Sequence, residues 1–268
     1  MVPVSVVIIT KNEADIIFRS ISMAKLITDD IVIIDSNSND STATIARANG
    51  CRIYPENWDG YGANKNKGIA LARYNWILSI DADEIIDRQL ITALHKLDYN
   101  DVRAVYDIAF KTYFGNKQIR FGSWGRDHHI RLFNRTLVKW SDIPVHETLL
   151  LPPNIIRKKL DGHIDHYSVK DEDECRAKAL YYAGLSARKH HIAGKKANFI
   201  KLYLSPLFNF FRNYLLYLGF LDGRAGWLIA KNSARHTRMK YRLLDQLIQA
   251  DKKKAFRKSN LTYSYSTE

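Results

Sequence analysis

Cysteine and long apolar runs are both scarce in this chain of 268 residues. The two cysteines, Cys51 and Cys175, lie far apart and have no metal-ligand spacing, which argues against a zinc motif. No window of 18 uninterrupted apolar residues occurs, so we expect no membrane-spanning helix. The first residues lack the basic-then-apolar pattern of a signal peptide. These absences predict a protein of the reducing cytoplasm.

The composition is that of a globular protein whose charge is unevenly distributed. Apolar residues make up 46% of the chain and aromatic residues 12%, enough to bury a sizeable core. Residues 1–150 carry 18 basic and 18 acidic residues, whereas residues 151–268 carry 23 and 10. The whole net charge of +13 therefore lies in the C-terminal part, where we expect it to serve something other than nucleotide binding.

Three apolar segments in the N-terminal part each end in polar side chains. Residues 4–9, 31–34 and 76–80 are typical of buried strands, and a polar tip follows each of them. The first two tips lead into helical patterns around residues 16–21 and 43–48. Repeated strand–tip–helix units predict an α/β fold with a doubly wound, mostly parallel sheet. Its ligand crevice should lie at the carboxyl edge of the strands.

The third segment ends in the carboxylates of Asp81, Asp83 and Glu84. Because side chains alternate along an extended chain, we expect Asp81 and Asp83 to point the same way and Ala82 to point back. Two carboxylates this close repel each other unless a cation lies between them, and oxygen ligands suit Mg²⁺ or Mn²⁺. The pattern predicts a divalent metal site completed by substrate phosphates. An ordinary acidic loop after a strand is the alternative.

Four motifs in this part of the chain resemble the family 2 glycosyltransferases, whose nucleotide-binding fold is of the GT-A type. They are SVVIITKNE at residues 5–13, IIDSNSNDST at 33–42, GANKNKG at 62–68 and LSIDADE at 78–84. A weaker similarity, to the subgroup that adds glucose to the inner core of lipopolysaccharide, continues at residues 124–133, 145–147 and 219–227. The resemblance implies an inverting, metal-dependent transfer of a sugar, glucose in this subgroup, from a UDP-sugar donor. The acceptor would be a lipid-linked or lipopolysaccharide-core glycan.

The resemblance also implies roles for individual residues. It assigns nucleotide contacts to six of them: Thr10, Glu13, Asp35, Lys65, Asn66 and Asp81. Asp83 would bind the Mg²⁺ or Mn²⁺ that bridges the diphosphate. A late histidine, His166, would contact the metal or a phosphate, and alternation along its segment puts His163 on the opposite face.

Inversion also requires a general base that takes the proton of the acceptor hydroxyl. The base has to lie opposite the leaving group, so we expect it in a later segment than the metal site. Glu147, in PVHE at residues 144–147, is the first candidate, and Asp127, in WGRD at residues 124–127, is the second. An ordinary surface carboxylate is the alternative interpretation of Glu147.

The basic C-terminal part contains an aromatic, leucine-rich segment at residues 199–221. Arg212 interrupts it, and burying an arginine in the middle of a bilayer is expensive. A helix lying in the headgroup plane keeps its cations in water, and further cations follow as far as residue 254. We expect a peripheral contact with an anionic membrane surface at the inner face of the cell membrane. A core helix is the alternative.

The chain is expected to have three parts. These are a catalytic GT-A domain at residues 1–170, a helical, basic membrane-interfacial region at 171–258 and a flexible tail at 259–268. The net charge also suggests an alternative function, a basic nucleic-acid-binding or non-catalytic membrane-associated module. No recognised nucleic-acid-binding motif occurs, and strand-tip carboxylates repel a phosphate backbone, so no nucleic-acid partner is expected.

Overall fold

The computed structural model describes residues 1–125, 127–141 and 147–264, with side chains as far as residue 254. The chain divides into two compact units. The first consists of Met1–Gln118 and Trp124–Ser168, and the second of Ile119–Ser123 and Val169–Glu268. The first unit mixes strands with helices, whereas the second is helical.

The first unit is built on a large sheet. The described strands are β1 (Val4–Thr10), β2 (Ile31–Asp35), β3 (Arg52–Pro55), β4 (Trp76–Asp81), β5 (Glu84–Ile86), β6 (Ala104–Phe114), β7 (Lys117–Gln118), β8 (Asp127–Asn134), β9 (Lys139–Trp140), β10 (Leu149–Leu150) and β11 (Ile156–Val169). Nine of these described strands form one sheet in the order β3-β2-β1-β4-β8-β6-β11-β5, with β7 beside β6. β9 and β10 form a separate antiparallel pair.

The strands predicted from the sequence lie in the parallel half of this sheet. β3, β2, β1 and β4 are neighbours, and each adjacent pair runs parallel. Thr10 lies opposite Asp35 and Ile9 lies opposite Asp81, so the polar strand ends meet at one edge. The chain moves from β1 outward to β3 and returns on the other side of β1, creating the switch point where α/β proteins bind ligands. The structure confirms the predicted α/β fold.

Antiparallel strands extend the sheet beyond β4. β8 pairs antiparallel with both β4 and β6, and β5 pairs antiparallel with β11. In β6, buried and half-buried residues alternate, as in a strand with one covered face. The pairing of β5 with β11 sets His166 opposite Glu84. These long-range pairings were not predicted from the sequence, and they bring the late histidine to the acidic strand end.

Helices cover both faces of the parallel half. They are α1 (Ile17–Ala24), α2 (Thr42–Ala48), α3 (Tyr61–Leu71) and α4 (Arg88–Lys96). α1 buries a helical stripe of four residues, Ile17, Ser20, Ile21 and Ala24. α3 packs on the other face, so closely that a Cβ on Gly68 would lie 2.5 Å from Val7 Cγ1. The glycine at the end of the third motif therefore sets how near α3 lies to the sheet.

Asp30 stabilises the amino end of the sheet, away from the polar strand tips. It is fully buried, accepts hydrogen bonds from Ser5 Oγ at 2.5 Å and Arg73 N at 2.7 Å, and pairs with Arg52. Burial raises the pKa of Asp30, but these partners outweigh it and lower the pKa below its ordinary value of 3.8. Its stabilising contribution is therefore present above pH 3.8 and is lost as the pH falls below that value.

Asp30→Asn is expected to lower the free energy of unfolding by about 2 kcal/mol at neutral pH, because charged hydrogen bonds are lost. Urea unfolding followed by circular dichroism measures the change. Asp29→Asn is the matched control, since Asp29 is 46% exposed and pairs with the surface residue Arg73, whose Nη1 is 2.8 Å away. The difference between wild type and Asp30→Asn should shrink on acidification. A difference independent of pH would contradict the role of the carboxylate charge.

The second unit consists of α5 (Glu172–Ile192), α6 (Ser205–Phe211) and α7 (Gly223–Ser264), with π-helical turns at Ile200–Leu204 and Arg212–Leu216. A Cβ on Gly226 would lie 1.8 Å from Gly219 O, so these glycines permit a close approach of two backbone segments. The Asp222 carboxylate accepts from the backbone nitrogen of Phe121 at 2.8 Å. The motif at residues 219–227 therefore shapes the second unit. None of the helices in the described part of the chain has both the length and the apolar composition of a membrane-spanning segment.

Candidate active site

Asp81 lies at the end of β4 between two buried cations. Lys65 Nζ is 3.2 Å from Asp81 Oδ1, and Arg131 Nη2 is 3.6 Å from Asp81 Oδ2. Lys65 is 1% exposed and Arg131 is 7% exposed. Burial raises the pKa of Asp81, but the two cations outweigh it and hold the pKa at about 2. Asp81 is therefore a carboxylate at neutral pH whose charge is offset by side chains of the protein itself.

Arg131 and Glu84 form a buried ion pair next to Asp81. Glu84 is 1% exposed, its carboxylate pairs with Arg131 Nη2, and it also accepts from the backbone nitrogen of Asp81 at 3.0 Å. Burial raises the pKa of Glu84 by more than Arg131 lowers it. Arg131 was not predicted as a site residue. The sequence did contain an indication of its role, an arginine within the apolar part of strand β8. A buried arginine requires an acidic partner.

Asp83 lies in the turn after β4 and faces a different partner. Its Oδ2 is 3.5 Å from His166 Nε2, and its backbone oxygen accepts from Tyr167 N at 3.0 Å. The chain turns at residues 82 and 83 instead of remaining extended, so Asp81 and Asp83 have different nearest neighbours. His163 contacts Asp87 and not this cluster, as the alternation along β11 predicted. The structure thus brings the two predicted metal-side residues, Asp83 and His166, together.

The pair of Asp83 and His166 is compatible with a divalent ion. Two ligands of one ion, each about 2.1 Å from it, lie roughly 3 Å apart, and the observed separation is 3.5 Å. Burial lowers the pKa of His166, but Asp83 outweighs it and raises the pKa to about 8, so metal binding would displace a proton. Among the described residues, no group of three or more His, Cys, Asp or Glu side chains is arranged to hold a metal ion.

Glu147 shares its cation with Asp81. Lys65 Nζ is 3.1 Å from Glu147 Oε1, and it lies 4.6 Å from the centre of the Trp140 ring. A Cβ on Gly62 would lie 2.1 Å from Ser141 O and 3.3 Å from Glu147 Cβ, so the glycine lets α3 approach this segment. One buried ammonium therefore links the candidate base to the end of β4. Residues 142–146, including the histidine of the PVHE motif, lie outside the described residues.

Asp127, the second candidate base, lies at the start of β8 and pairs with a histidine. Its Oδ2 is 2.9 Å from His129 Nε2, and its side chain is 48% exposed, compared with 16% for Glu147. Burial raises the pKa of Asp127, but His129 outweighs it and lowers the pKa. The rings of His129 and His166 both pack edge-on against Phe110, with centroid distances of 4.9 Å and 6.2 Å. Asp127 therefore borders the same cluster.

Thr10 and Asp35 lie side by side at the ends of β1 and β2. Thr10 Oγ1 is buried and has no hydrogen-bond partner among the described residues, and Asp35 accepts from the backbone nitrogen of Ser38 at 3.1 Å. Asn12, in the left-handed region at φ 57°, connects the two loops by donating its backbone N–H to Ser38 Oγ at 2.8 Å. Glu13 follows, with its backbone nitrogen bonded to Thr42 Oγ1 at 2.8 Å.

Asn66, another predicted nucleotide contact, is engaged with the backbone of β9. Its amide donates to Trp140 O at 2.9 Å and accepts from Trp140 N at 3.1 Å. These two bonds hold Trp140 where its ring packs against the Lys65 ammonium. Asn66 therefore positions Lys65 indirectly, and its role as a nucleotide contact stays a prediction.

The fold is that of an α/β protein in which a cluster of paired carboxylates and cations lies at the switch point of a doubly wound sheet. The model of the family described as Glycosyl transferase family 2 matches residues 5–151, more than half of the chain. The protein therefore belongs to the family 2 glycosyltransferases, as the motifs predicted.

Relatives of similar length also match this chain. It is 27% identical to an uncharacterized glycosyltransferase of Rickettsia bellii (strain RML369-C) over 84% of this chain and 80% of the relative. It is 26% identical to the lipopolysaccharide core biosynthesis glycosyltransferase LpsC of Rhizobium meliloti (strain 1021), over 87% of this chain and 88% of the relative.

Two solved structures each match less than half of the chain. Mannosyl-3-phosphoglycerate synthase from Rubrobacter xylanophilus matches with a TM-score of 0.35 and 21% identity, over 41% of this chain and 40% of that protein. Glucosyl-3-phosphoglycerate synthase from Mycobacterium tuberculosis, in complex with Mn²⁺, UDP and glucosyl-3-phosphoglycerate, matches with a TM-score of 0.33 and 22% identity, over 42% and 44%.

Proposed function

We propose that this glycosyltransferase transfers a sugar from a UDP-sugar to a lipid-linked or lipopolysaccharide-core glycan, with inversion at the anomeric carbon. Glucose is the proposed sugar. The observation that most directly supports this proposal is the position of the buried Lys65, whose ammonium lies within 3.2 Å of both Asp81 and Glu147. This contact joins a predicted nucleotide-side carboxylate to a predicted base at the carboxyl edge of the sheet. A donor and an acceptor hydroxyl bound there would meet within one cluster.

The donor nucleotide is proposed to lie across the ends of β1, β2 and β4. The buried Thr10 hydroxyl, which has no hydrogen-bond partner within the described part of the chain, is a group for the nucleotide to bind, and Asp35 offers a carboxylate to the uracil or ribose. Asp81 would accept from the ribose or sugar, and its low pKa keeps it an acceptor at neutral pH. Lys65 would complement the negative charge of the diphosphate.

Asp83 and His166 are proposed to hold Mg²⁺ or Mn²⁺ together with the donor diphosphate. One carboxylate and one imidazole leave most of the coordination to phosphate oxygens and water, which is usual for ions of this kind. A bound divalent ion would supply charge neutralisation to the departing nucleoside diphosphate. The chain would provide two ligands to this ion, Asp83 Oδ2 and an unprotonated His166 Nε2.

Glu147 is proposed as the general base that takes the proton of the acceptor hydroxyl. It is more enclosed than Asp127, and the Lys65 ammonium keeps its carboxylate in place. Asp127 already pairs with His129, so it remains the second candidate.

The proposed acceptor class and location rest on two supports. The similarity to LpsC, whose name states lipopolysaccharide core biosynthesis, favours a glycan of this kind as acceptor. The second unit exposes large apolar side chains between residues 199 and 221, which favours a peripheral position at the inner face of the cell membrane.

A screen of UDP-sugars for hydrolysis tests the proposal without knowledge of the acceptor. We expect one UDP-sugar to be hydrolysed in the presence of Mn²⁺ or Mg²⁺, and we expect a chelator to stop the reaction because the proposed ion site requires a divalent cation. Release of UDP is the measured quantity, and UDP binding should depend only weakly on salt. Binding of nucleic acid with a steep salt dependence, and no hydrolysis of any donor, would instead favour the nucleic-acid-binding alternative.

A further inference from the structure

The segment at residues 199–221 has the reverse of the usual distribution of polar side chains. Its amides face the interior of the second unit: Asn209 Nδ2 donates to Thr237 Oγ1 at 2.6 Å, and Asn213 Nδ2 donates to Ser233 Oγ at 3.2 Å. Asn213 is 1% exposed. A helix on the surface of a water-soluble domain turns such groups toward water and its apolar stripe toward the core.

The outward face of this segment is apolar. Nine large side chains of this segment are at least 50% exposed, and six of them are apolar residues used below: Phe199, Ile200, Leu204, Leu207, Phe208 and Leu216. They are close together in sequence, from Phe199, which directly precedes the first π-helical turn, through α6 to the second π-helical turn. Contiguous exposed apolar surface of this kind marks a site of interaction with an apolar partner. We call these six residues the apolar face.

A cluster of cations lies in the same unit, around Tyr241. Lys240 Nζ is 4.5 Å from the centre of the Tyr241 ring, Lys201 Nζ is 6.0 Å from it, and the His190 ring centre is also 6.0 Å away. Lys195 belongs to the same group, since its backbone nitrogen donates to His190 O at 2.9 Å. Lys195, Lys201, Lys240 and His190 are called the basic cluster below.

The basic cluster lacks a balancing negative charge. Within the described side chains, none of its three lysines forms an ion pair with a carboxylate, and the nearby Asp251 pairs with His191 instead. His190 Nδ1 is buried and has no hydrogen-bond partner among the described residues. Burial and the neighbouring lysines lower the pKa of both His190 and Lys240. An anion placed among these groups would relieve their mutual repulsion.

We propose that the basic cluster binds the phosphate headgroup of an anionic lipid while the apolar face enters the outer part of the bilayer. Lys201 lies in the same π-helical turn as Ile200 and Leu204, so one segment presents a cation and apolar side chains together. Neither part alone selects a bilayer, but an anionic headgroup attached to acyl chains complements both. A second copy of this chain would bring two clusters of like charge together. The proposal rests on the membrane position proposed above, and it does not depend on the donor or acceptor of sugar transfer.

Lys201→Gln with Lys240→Gln is expected to weaken binding to vesicles of phosphatidylcholine and phosphatidylglycerol by about 30-fold, the combined contribution of two cations at an anionic surface. Co-sedimentation measures the affinity. The control is Lys25→Gln with Lys159→Gln, which removes two exposed lysines of the first unit and should change binding little. Lys195→Gln tests the cluster again at an exposed position, where a folding defect is not expected. Hydrolysis of the donor should be unchanged in all three variants.

The pKa of His190 distinguishes a lipid headgroup bound at the basic cluster from a general electrostatic attraction to the membrane. Because a bound anion favours the charged imidazole, dihexanoyl phosphatidic acid below its micelle concentration should raise the His190 pKa measured by NMR in the full chain. Inorganic phosphate at the same concentration should raise it less, since it lacks acyl chains for the apolar face.

Four results would overturn the proposal. The first is a loss of vesicle binding in the Lys25/Lys159 control as large as that in the Lys201/Lys240 variant, and the second is binding to pure phosphatidylcholine vesicles as tight as binding to anionic vesicles. The third is a rise of the His190 pKa with inorganic phosphate as large as that with phosphatidic acid. The fourth is a concentration-dependent dimer that covers the apolar face, with no binding to vesicles. A fifth is tighter binding of a short RNA duplex than of anionic vesicles, lost in the Lys201/Lys240 variant. Loss of donor hydrolysis in the wild type would instead refute the proposed transferase chemistry and leave this site untouched.

Discussion

Asp83→Ala is expected to abolish sugar transfer and the metal-dependent part of UDP binding while leaving the fold intact. Asp83 supplies the only carboxylate within 4 Å of His166 among the described residues, so its loss leaves one imidazole to hold the ion. Loss of one of two protein ligands should reduce metal affinity by about 10²-fold or more. Isothermal titration of UDP with and without Mn²⁺ measures binding, and UDP release measures turnover.

The Asp83 variant needs controls for shape and for general loss of charge. Asp83→Asn keeps the size of the side chain and should fail to the same degree, because an amide is a weak ligand. Asp161→Ala removes an exposed acid of β11 outside the cluster and should leave binding and turnover unchanged. If the Asp83→Ala variant has a turnover number close to that of the wild type, Asp83 has no part in the mechanism.

Glu147→Gln is expected to slow transfer by about 10²-fold or more, which is the usual effect of removing a positioned general base. Donor binding should be preserved, because Lys65 keeps its contact with Asp81 when the carboxylate at 147 becomes an amide. The turnover number should therefore fall while KM for the donor stays close to that of the wild type. Steady-state kinetics with donor and acceptor measure both quantities.

A second glutamate–lysine pair, whose lysine lies on α3 as Lys65 does, provides the matched control for Glu147. Glu56 pairs with Lys67 at 3.0 Å, both side chains are partly exposed, and Glu56→Gln should leave transfer unchanged. Asp127→Asn should have a smaller effect than Glu147→Gln if Glu147 is the base. If Glu147→Gln changes only donor affinity while Asp127→Asn abolishes turnover, Asp127 takes the role.

The residues of the candidate site differ in how far local sequence could predict them. Asp81, Asp83 and Asp35 were found because each follows an apolar run, and the carboxyl ends of parallel strands share one edge. Arg131 was missed because its partners, Asp81 and Glu84, lie about fifty residues earlier in the chain. The double hydrogen bond of Asn66 to Trp140 is equally invisible, because it depends on where β9 lies against α3.

The sequence by itself determined the family, the α/β class and three of the four strands in the parallel half of the sheet. Those inferences depend on local periodicity and on strand–loop–helix repeats, in which the information lies within a few consecutive residues. The sequence also located the excess of cations in the C-terminal part. It could not say which side chains there face outward.

Tertiary structure alone decided which charges offset one another. The repulsion expected between Asp81 and Asp83 was predicted to require a metal, but Lys65 and Arg131 lie against Asp81, and His166 lies against Asp83. Packing likewise turned Asn209 and Asn213 inward and left the apolar face outward. Coulombic and packing energies depend on distances between residues remote in the chain, and only the folded chain sets those distances.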